Sequence, residues 1–367
     1  MNRSIRHASL ALSIALAAGT AQAQPAGTLN EDFIHRVRPG DTLIGLATTY
    51  TGKESNWPAL QQLNKVADTL ALPVAMELRI PLAMIPEVPG TAQIVNVAGS
   101  ASINEQQASP GSPLPEGGVL STGAGGFVTV RLSDDSEITL PPNSTVQLQR
   151  LRRFERVPIT DTVVSVEEGS MESRVAPEGS GVGRFEIRAP VAVTGVRGTR
   201  FRVEARRDGA SQAVLEGNVR VQAHARGQAP AQVVTVGQGQ GARVGGDGSL
   251  LGVQPLLAAP LLGTPQRNGG SWTSSLSPVP GAQAYDVRVS RDAQGMHVVS
   301  AQRFTAPDIR FTAPGPGTYY VNVSAVDQTG LAGYEARQPF EGALALLSSD
   351  GQAVASGSGG LITLQDY

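Results

Sequence analysis

Between Thr91 and about residue 250 the chain repeats one pattern: short stretches of alternating or clustered apolar residues, cut at brief intervals by turn signals. Val95 to Ile103, Phe127 to Leu132, Glu137 to Leu140, Val163 to Val166 and Arg184 to Arg188 read as strands. Arg200 to Ala205, Ala213 to Leu215, Asn218 to Gln222 and Gln232 to Val236 continue the series. Ser133-Asp134-Asp135, Glu168-Gly169, Asp208-Gly209 and Glu216-Gly217 supply turns between them. A strand–Gly–strand arrangement recurs around Gly99, Gly169, Gly217 and Gly237, too irregular for a formal repeat. A run of this length without helical periodicity predicts an all-β sandwich or a stacked, solenoid-like sheet. The 43 glycines and 25 prolines, against 4% aromatic residues, agree with many short strands and turns.

The segments on either side are of different character. Arg3 and Arg6, the apolar run Ala8 to Ala18 and the small residues of Ala21-Gln22-Ala23 predict a cleaved secretory leader over residues 1–23. The run is too short to span a bilayer, which takes about 20 residues. The expectation is an exported, periplasmic or cell-envelope chain starting at Gln24, with no membrane anchor. Without Arg3 and Arg6 the chain has 27 basic and 31 acidic residues, evenly spread, so nucleic acid is a poor partner. The one basic cluster, Arg150, Arg152, Arg153 and Arg156 around Phe154, reads as a solvated loop.

Residues 34–85 predict a small β-α-α-β module. Ile34 to Arg38 alternates as a strand and stops at Pro39-Gly40, and Asp41 stands where a helix N-cap belongs. Leu43, Leu46, Ala47 and Tyr50 then share one helix face, and Thr51-Gly52 ends it. Asn56-Trp57-Pro58 opens a second helix with Leu60 and Leu63 inward, Trp57 belongs to the core, and Leu78 to Pro81 closes the unit.

The run His35 to Leu43, with Leu46-Ala47, Tyr50, Trp57, Leu60, Asn64 and Leu78-x-Ile80-Pro81, resembles a LysM domain. One departure is Val74-Ala75-Met76 where that family usually carries Gly. The resemblance implies binding of peptidoglycan, an N-acetylglucosamine-containing glycan. It places the sugar in a shallow groove with Gly40, Asp41, Thr42 and Leu43 on one side and Leu70, Ala71 and Leu72 on the other.

The stretch Ile187 to Phe201, followed by Val214 to Val221, resembles the core of a FecR domain. The hairpin Val128 to Leu140 and the preceding Leu120 to Gly123 fit the same family. That resemblance implies a bacterial-envelope protein and an envelope protein partner. A sigma regulator would need a cytoplasmic domain and a transmembrane helix here, so the relay mechanism does not transfer. Around Val196-Arg197-Gly198-Thr199, Gly198 is expected to take a positive φ and the arginines to satisfy carbonyls. Gly237-x-Gly239-x-x-Ala242 matches a dinucleotide fingerprint only formally, since no βαβ unit surrounds it.

Residues 251–270 read as a linker. Over residues 271–345, Trp272, the strand Tyr285 to Val289, Ile309-Arg310-Phe311 and the strand Gly317 to Asp327 resemble a fibronectin type III-like β-sandwich. Its expected role is a spacer or protein-binding module, and residues 346–367 are expected to be a flexible tail.

The fold class expected is therefore mainly β and multidomain: the βααβ module, the all-β domain of residues 91–250 and a β-sandwich. The functional expectation is a non-catalytic peptidoglycan-binding protein anchoring the FecR-like domain to the cell wall, for scaffolding or signalling. The alternatives are a FecR-type signalling adaptor for an outer-membrane receptor, and a peptidoglycan hydrolase. The residue inventory weighs against the hydrolase: there is no cysteine, and His35, His224 and His297 have no ligand-spaced partner. Glu167 and Glu168 sit beside a turn glycine. No catalytic residue, metal or cofactor is expected.

Overall fold

The alternating residues of the middle region build two sheets. The computed structural model describes residues 28–29, 32–157, 159–176, 182–196, 198–224, 232–268 and 271–342. The expected leader and flexible tail lie outside the described residues. One sheet runs in the order Gln106–Gln107, Ala101–Ile103, Val119–Thr122, Thr145–Phe154, Thr160–Arg174, Val182–Ala189, Ala192–Val196, Asn218–Ala223, Gln232–Gly237. The other runs Ala92–Ala98, Phe127–Leu132, Glu137–Leu140, Thr160–Arg174, Arg200–Arg206, Gly209–Glu216, Gln240–Gly245, Leu250–Pro255. The 15-residue strand Thr160–Arg174 belongs to both, so the ladder is continuous while two layers face each other. Leu148, Val164, Phe185 and Val221 from one layer meet Val130, Ile138, Phe201 and Val214 from the other in one core.

The recurrent glycines mark where the chain changes sheet. Gly99 links Ala92–Ala98 to Ala101–Ile103, and Gly217 links Gly209–Glu216 to Asn218–Ala223. At Gly169 the shared strand leaves one ladder and enters the other. Its φ is +77°, and a Cβ there would lie 2.4 Å from the Asn143 carbonyl oxygen, so no other residue fits. Glu168-Gly169 is thus a crossing within a continuous strand rather than the expected turn. At the fourth corner the positive φ falls on Gly239, not Gly237. Gly198 takes the expected positive φ, +53°.

The first module is a three-stranded sheet of Thr28–Leu29, Asp32–Arg36 and Glu77–Pro81, with helices Leu43–Thr51 and Trp57–Asn64 packed on it. Leu43, Leu46, Ala47, Leu60, Leu78 and Ile80 form its core. Leu63, expected inward, is 37% exposed, and Trp57 packs at the margin of the core. The core is completed from outside: Phe154, Val157 and Ile159 of the middle domain belong to the same cluster. The strand Glu87–Pro89 pairs with Arg152–Phe154, and the Glu155 N–H donates to the Pro86 carbonyl at 3.0 Å. The basic cluster expected as a solvated loop is therefore strand and docking turn. Arg150 pairs with Asp161 (2.5 Å) and Glu87 (2.6 Å), and Arg152 with Glu116 (2.6 Å). Arg156 lies against Gly52, the left-handed C-cap of the first helix.

The third module pairs Gln266–Asn268, Ser271–Ser275 and Asp308–Phe311 in one sheet. Val298–Phe304, Ala284–Ser290, Thr318–Val326 and Ala332–Glu341 form the other. Trp272, Tyr285, Val287, Phe311, Tyr319, Val321 and Phe340 fill the space between them. The stretch 251–270 expected as a linker carries part of the strand Leu250–Pro255 and all of Gln266–Asn268.

The opposite face of the four-stranded sheet is also covered. Asn322 and Ser324, pointing away from the module's own core, are buried. Thr129 and Thr139 of the middle domain donate their hydroxyls to the Met296 carbonyl at 2.8 and 3.1 Å, and the Asn96 side chain donates to the Val298 carbonyl at 3.0 Å. At the centre lie Glu172, Arg200 and Arg202 from the middle domain and Arg288, Glu335 and Arg337 from the third module. Of the arginines around Gly198, Arg197 lies outside the described residues, and Arg200 bridges Glu172 (2.6 Å) and Glu335 (2.8 Å). Burial alone would push the Glu335 carboxyl up, but the charges of Arg288 and Arg202 reverse this and hold it at about 2. Burial acts on Glu172 in the same way, and Arg200 and Arg288 hold it well below the ordinary value.

Two outcomes follow. Phe154→Ala, made in the middle domain, should destabilise the first module by about 3–5 kcal/mol, read by hydrogen exchange of the helix Leu43–Thr51 amides. Lowered carboxyl values contribute stability above the unfolded value of 4.5 and lose it as pH falls from there through about 2. Docking of the third module should hold from neutral pH down to that window and fail within it. Melting curves against pH test this, and the double variant Glu172→Gln, Glu335→Gln should flatten the acid limb.

Candidate functional site

The two segments expected to line a groove do meet. Thr42, rather than the expected Asp41, caps the first helix, its Oγ1 accepting the Gly45 N–H at 3.1 Å. Asp41 instead closes the turn before it: its carboxylate accepts the Arg38 N–H at 2.7 Å, and Gly40 supplies the left-handed φ of +89°. The Leu43 N–H then donates across to the Thr69 carbonyl at 2.9 Å, tying the turn to the loop after the second helix. In that loop the Asp68 carboxylate accepts the N–H groups of Leu70 (2.9 Å) and Ala71 (3.3 Å).

The seven residues fall into two sets. Leu43 and Leu72 are core residues, whose side chains are committed to the interior. Gly40, Leu70 and Ala71 are exposed and Asp41 and Thr42 half-buried. Leu70 presents a large apolar side chain, 70% exposed, with no packing role. The surface between the segments thus offers backbone polar groups beside an apolar flank.

A buried histidine lies beneath the turn. The His35 ring meets Asp41 Oδ2 through Nε2 at 2.8 Å and the Tyr50 hydroxyl through Nδ1 at 2.7 Å. Burial would raise the Asp41 carboxyl, but the Arg38 N–H and the His35 ring outweigh it and hold it below its ordinary value. With Asp41 ionised, its carboxylate accepts from the ring Nε2–H, and the Tyr50 hydroxyl closes the contact at Nδ1. Burial pushes the Tyr50 hydroxyl up. In the sequence His35 falls on a strand and Tyr50 on a helix face, 15 residues apart, with no local pattern that links them. Asn64 is accounted for structurally: it accepts the Arg79 N–H at 2.7 Å and donates to the Arg79 carbonyl at 2.8 Å.

The expected departure near Ala75 has a conformational basis. Ala75 takes φ +67°, the region glycine favours, and its N–H donates to the Val37 carbonyl at 2.8 Å. The chain keeps the turn and bears the strain.

Elsewhere, Glu167 and Glu168 are both exposed, and Glu167 accepts a hydrogen bond from Ser165 at 2.6 Å. His297 lies 3.8 Å from Glu137. Among the described residues there is no group of three or more His, Cys, Asp or Glu able to hold a metal ion. Nor is any described helix long and apolar enough to cross a membrane.

A LysM domain family model matches residues 35–81, and a FecR protein family model matches residues 118–220. Among solved structures, the chain is similar to two crystal structures of a candidate anti-sigma factor from Parabacteroides distasonis, at 20% identity and a TM-score of 0.30. The likeness covers 37% of this chain and 59% of that one. A beta-1,2-glucanase from the same species matches at 13% identity and a TM-score of 0.23, over 71% of this chain and 38% of that one. No curated protein matches the chain.

The strained turn predicts that Ala75→Gly stabilises the first module by about 0.5–1 kcal/mol, because glycine adopts the left-handed region without steric cost. Denaturant unfolding of the full chain measures it, with Ala75→Val as the opposite control.

Proposed function

We propose that this is a non-catalytic envelope protein whose first module binds peptidoglycan and holds the FecR-like β domain at the cell wall. The observation that carries the reading is the LysM match on residues 35–81 together with the paired lips of the groove, tied by Leu43 and Thr69. Backbone groups at Gly40 to Thr42 pair with acetamido and hydroxyl groups, and Leu70 and Ala71 cover apolar sugar faces. Leu43 and Leu72 contribute through the backbone they hold in place. His35 and Tyr50 fix the lip without touching the glycan.

The FecR match supports a second element of the reading, a signalling adaptor that engages an envelope protein. We read the third module as fibronectin type III-like: its first, second and fifth strands form one sheet, and the third, fourth, sixth and seventh the other. It sits on the middle domain as a fixed partner rather than a swinging spacer.

The test is sedimentation of the full exported chain with purified peptidoglycan. A single shallow groove gives modest affinity, about millimolar to micromolar. Leu70→Asp should reduce retention at least about five-fold, roughly 1 kcal/mol of contact energy, with the melting temperature unchanged. Thr42→Trp is a poorer probe, because it removes a cap as well as blocking the surface. A wild-type chain that stays in the supernatant, or a Leu70→Asp chain retained like wild type, overturns the glycan assignment. A clearing zone on a peptidoglycan zymogram overturns the non-catalytic one.

A further inference from the structure

One sheet edge of the middle domain is left open. Among the described residues, Gln232–Gly237 pairs only with Asn218–Ala223, in six consecutive pairs without a bulge, and no strand pairs with its other side. Its sequence, Gln-Val-Val-Thr-Val-Gly, has no charge and no proline, two of the devices that stop another strand from adding to an edge. Val233 is 47% exposed on the outer side, and Val234, on the inner side, is only half-buried. The facing layer ends beside it. There the Leu250 N–H donates to the Gln232 side chain at 3.2 Å, and Val253, paired with the core residue Ala242, stays 37% exposed.

The other long edges are closed or blunted. Ala92–Ala98 is covered by residues 111–114, through the Ile94 N–H to the Ser112 carbonyl (2.9 Å) and the Gly111 N–H to the Ile94 carbonyl (2.8 Å). Leu250–Pro255 is interrupted by a bulge at Gly252 and ended by Pro255. The outer strands of the third module's larger sheet carry charges, Arg303 on one and Glu335 and Arg337 on the other.

The chain beyond Gly342 supplies a matching segment. Residues 361–365, Leu-Ile-Thr-Leu-Gln, are uncharged, and alternation separates Ile362 and Leu364 from Thr363 and Gln365. They follow the Gly- and Ser-rich run 356–360. Gly342 leaves at the end of Ala332–Glu341, while Tyr334, near that strand's start, lies against Gly239, two residues past the open edge. The step from Tyr334 to Gly342 corresponds to roughly 26 Å of strand. A coil of 18 residues, the length of 343–360, has an r.m.s. span of about 23 Å. A tether that matches its gap holds the tethered segment at about millimolar effective concentration. Residues 343–347 are also apolar, but they leave directly from Gly342 with no chain to spare for the return.

We propose that residues 361–365 add to the open edge of Gln232–Gly237 in the same molecule, as one more strand of that layer. Backbone groups supply the ladder, as in strand addition to any open edge. Ile362 and Leu364 face inward onto Val234, Leu250 and Val253, and Thr363 faces outward beside Val233. The added strand closes the end of the sandwich and withdraws the edge from pairing with other chains.

The test is hydrogen exchange of the Gln232–Gly237 amides in the full chain and in a chain ending at Gly360. Removing 361–367 should speed exchange of the amides on the open side at least about ten-fold, the change expected when a ladder amide is released to solvent. The Asn218–Ala223 amides, paired on both sides, should stay unchanged and report that the domain is folded. Thr363→Pro, which removes a donor and interrupts the added strand, should reproduce the loss, and Ser358→Pro should not. Protection in the full chain should be independent of protein concentration. Equal exchange in the full and shortened chains overturns the proposal. Protection that grows with concentration also overturns it, because it assigns the edge to a second copy.

Discussion

The contact on which the relation between the modules depends is a set of guanidinium–carboxylate pairs taken almost entirely out of water. Burying such charges is costly, and the cost is met only when each carboxylate is surrounded by well-placed donors. Here Glu172 is reached by Arg200, Arg202 and Arg288, and Glu335 by the same three together with Arg337. Removing one partner strands the rest, so the arrangement favours one docking geometry over neighbouring ones. Apolar faces would tolerate sliding, whereas forked pairs with fixed angles do not. That specificity keeps the outer face of the third module's second sheet covered by the middle domain.

The first module depends on its neighbour through apolar contact instead. A unit of about fifty residues buries little surface by itself, and such units are marginal without reinforcement. Phe154, Val157 and Ile159 provide it by entering the core beside Leu43, Leu60 and Ile80. Arg156 lies against the helix end at Gly52, and the exit strand Glu87–Pro89 joins the middle domain's own ladder. The first module is therefore joined to the middle domain by a shared core and a shared ladder rather than by a slack tether.

What the sequence made legible follows from the range of each interaction. Period-two alternation is local, and it located most strands of the middle and third modules. The glycines at 99, 169 and 217 were visible as punctuation, because a left-handed φ is a demand made by one residue on itself. Their meaning, a change of sheet, was not visible, since it depends on which strands pair across the core. The groove segments rest on the resemblance to LysM domains, which residues such as Gly40, Asp41 and Asn64 carry. The pairing of Leu43 with Thr69 and the His35–Asp41–Tyr50 contact needed the fold.

The ion cluster was illegible for a different reason. Glu172, Arg200, Arg202 and Arg288 stand at the polar positions of alternating strands, where a solvated face gives the same pattern. Arg288 is 116 residues from Glu172 along the chain, and Glu335 is 135 from Arg200. Polar-out alternation says only that a face avoids its own module's core. It does not say whether water or another sheet lies beyond. A strand buried on both sides can therefore keep the alternation of a half-exposed one, provided its outer charges find counter-charges. Thr318–Val326 meets this condition differently, with Asn322 bonded to Ser290 at 3.0 Å and to Arg337 at 2.5 Å. Its outer face carries no charge of its own, so the cluster is drawn from the strands flanking it, and the four arginines converge around only two acids.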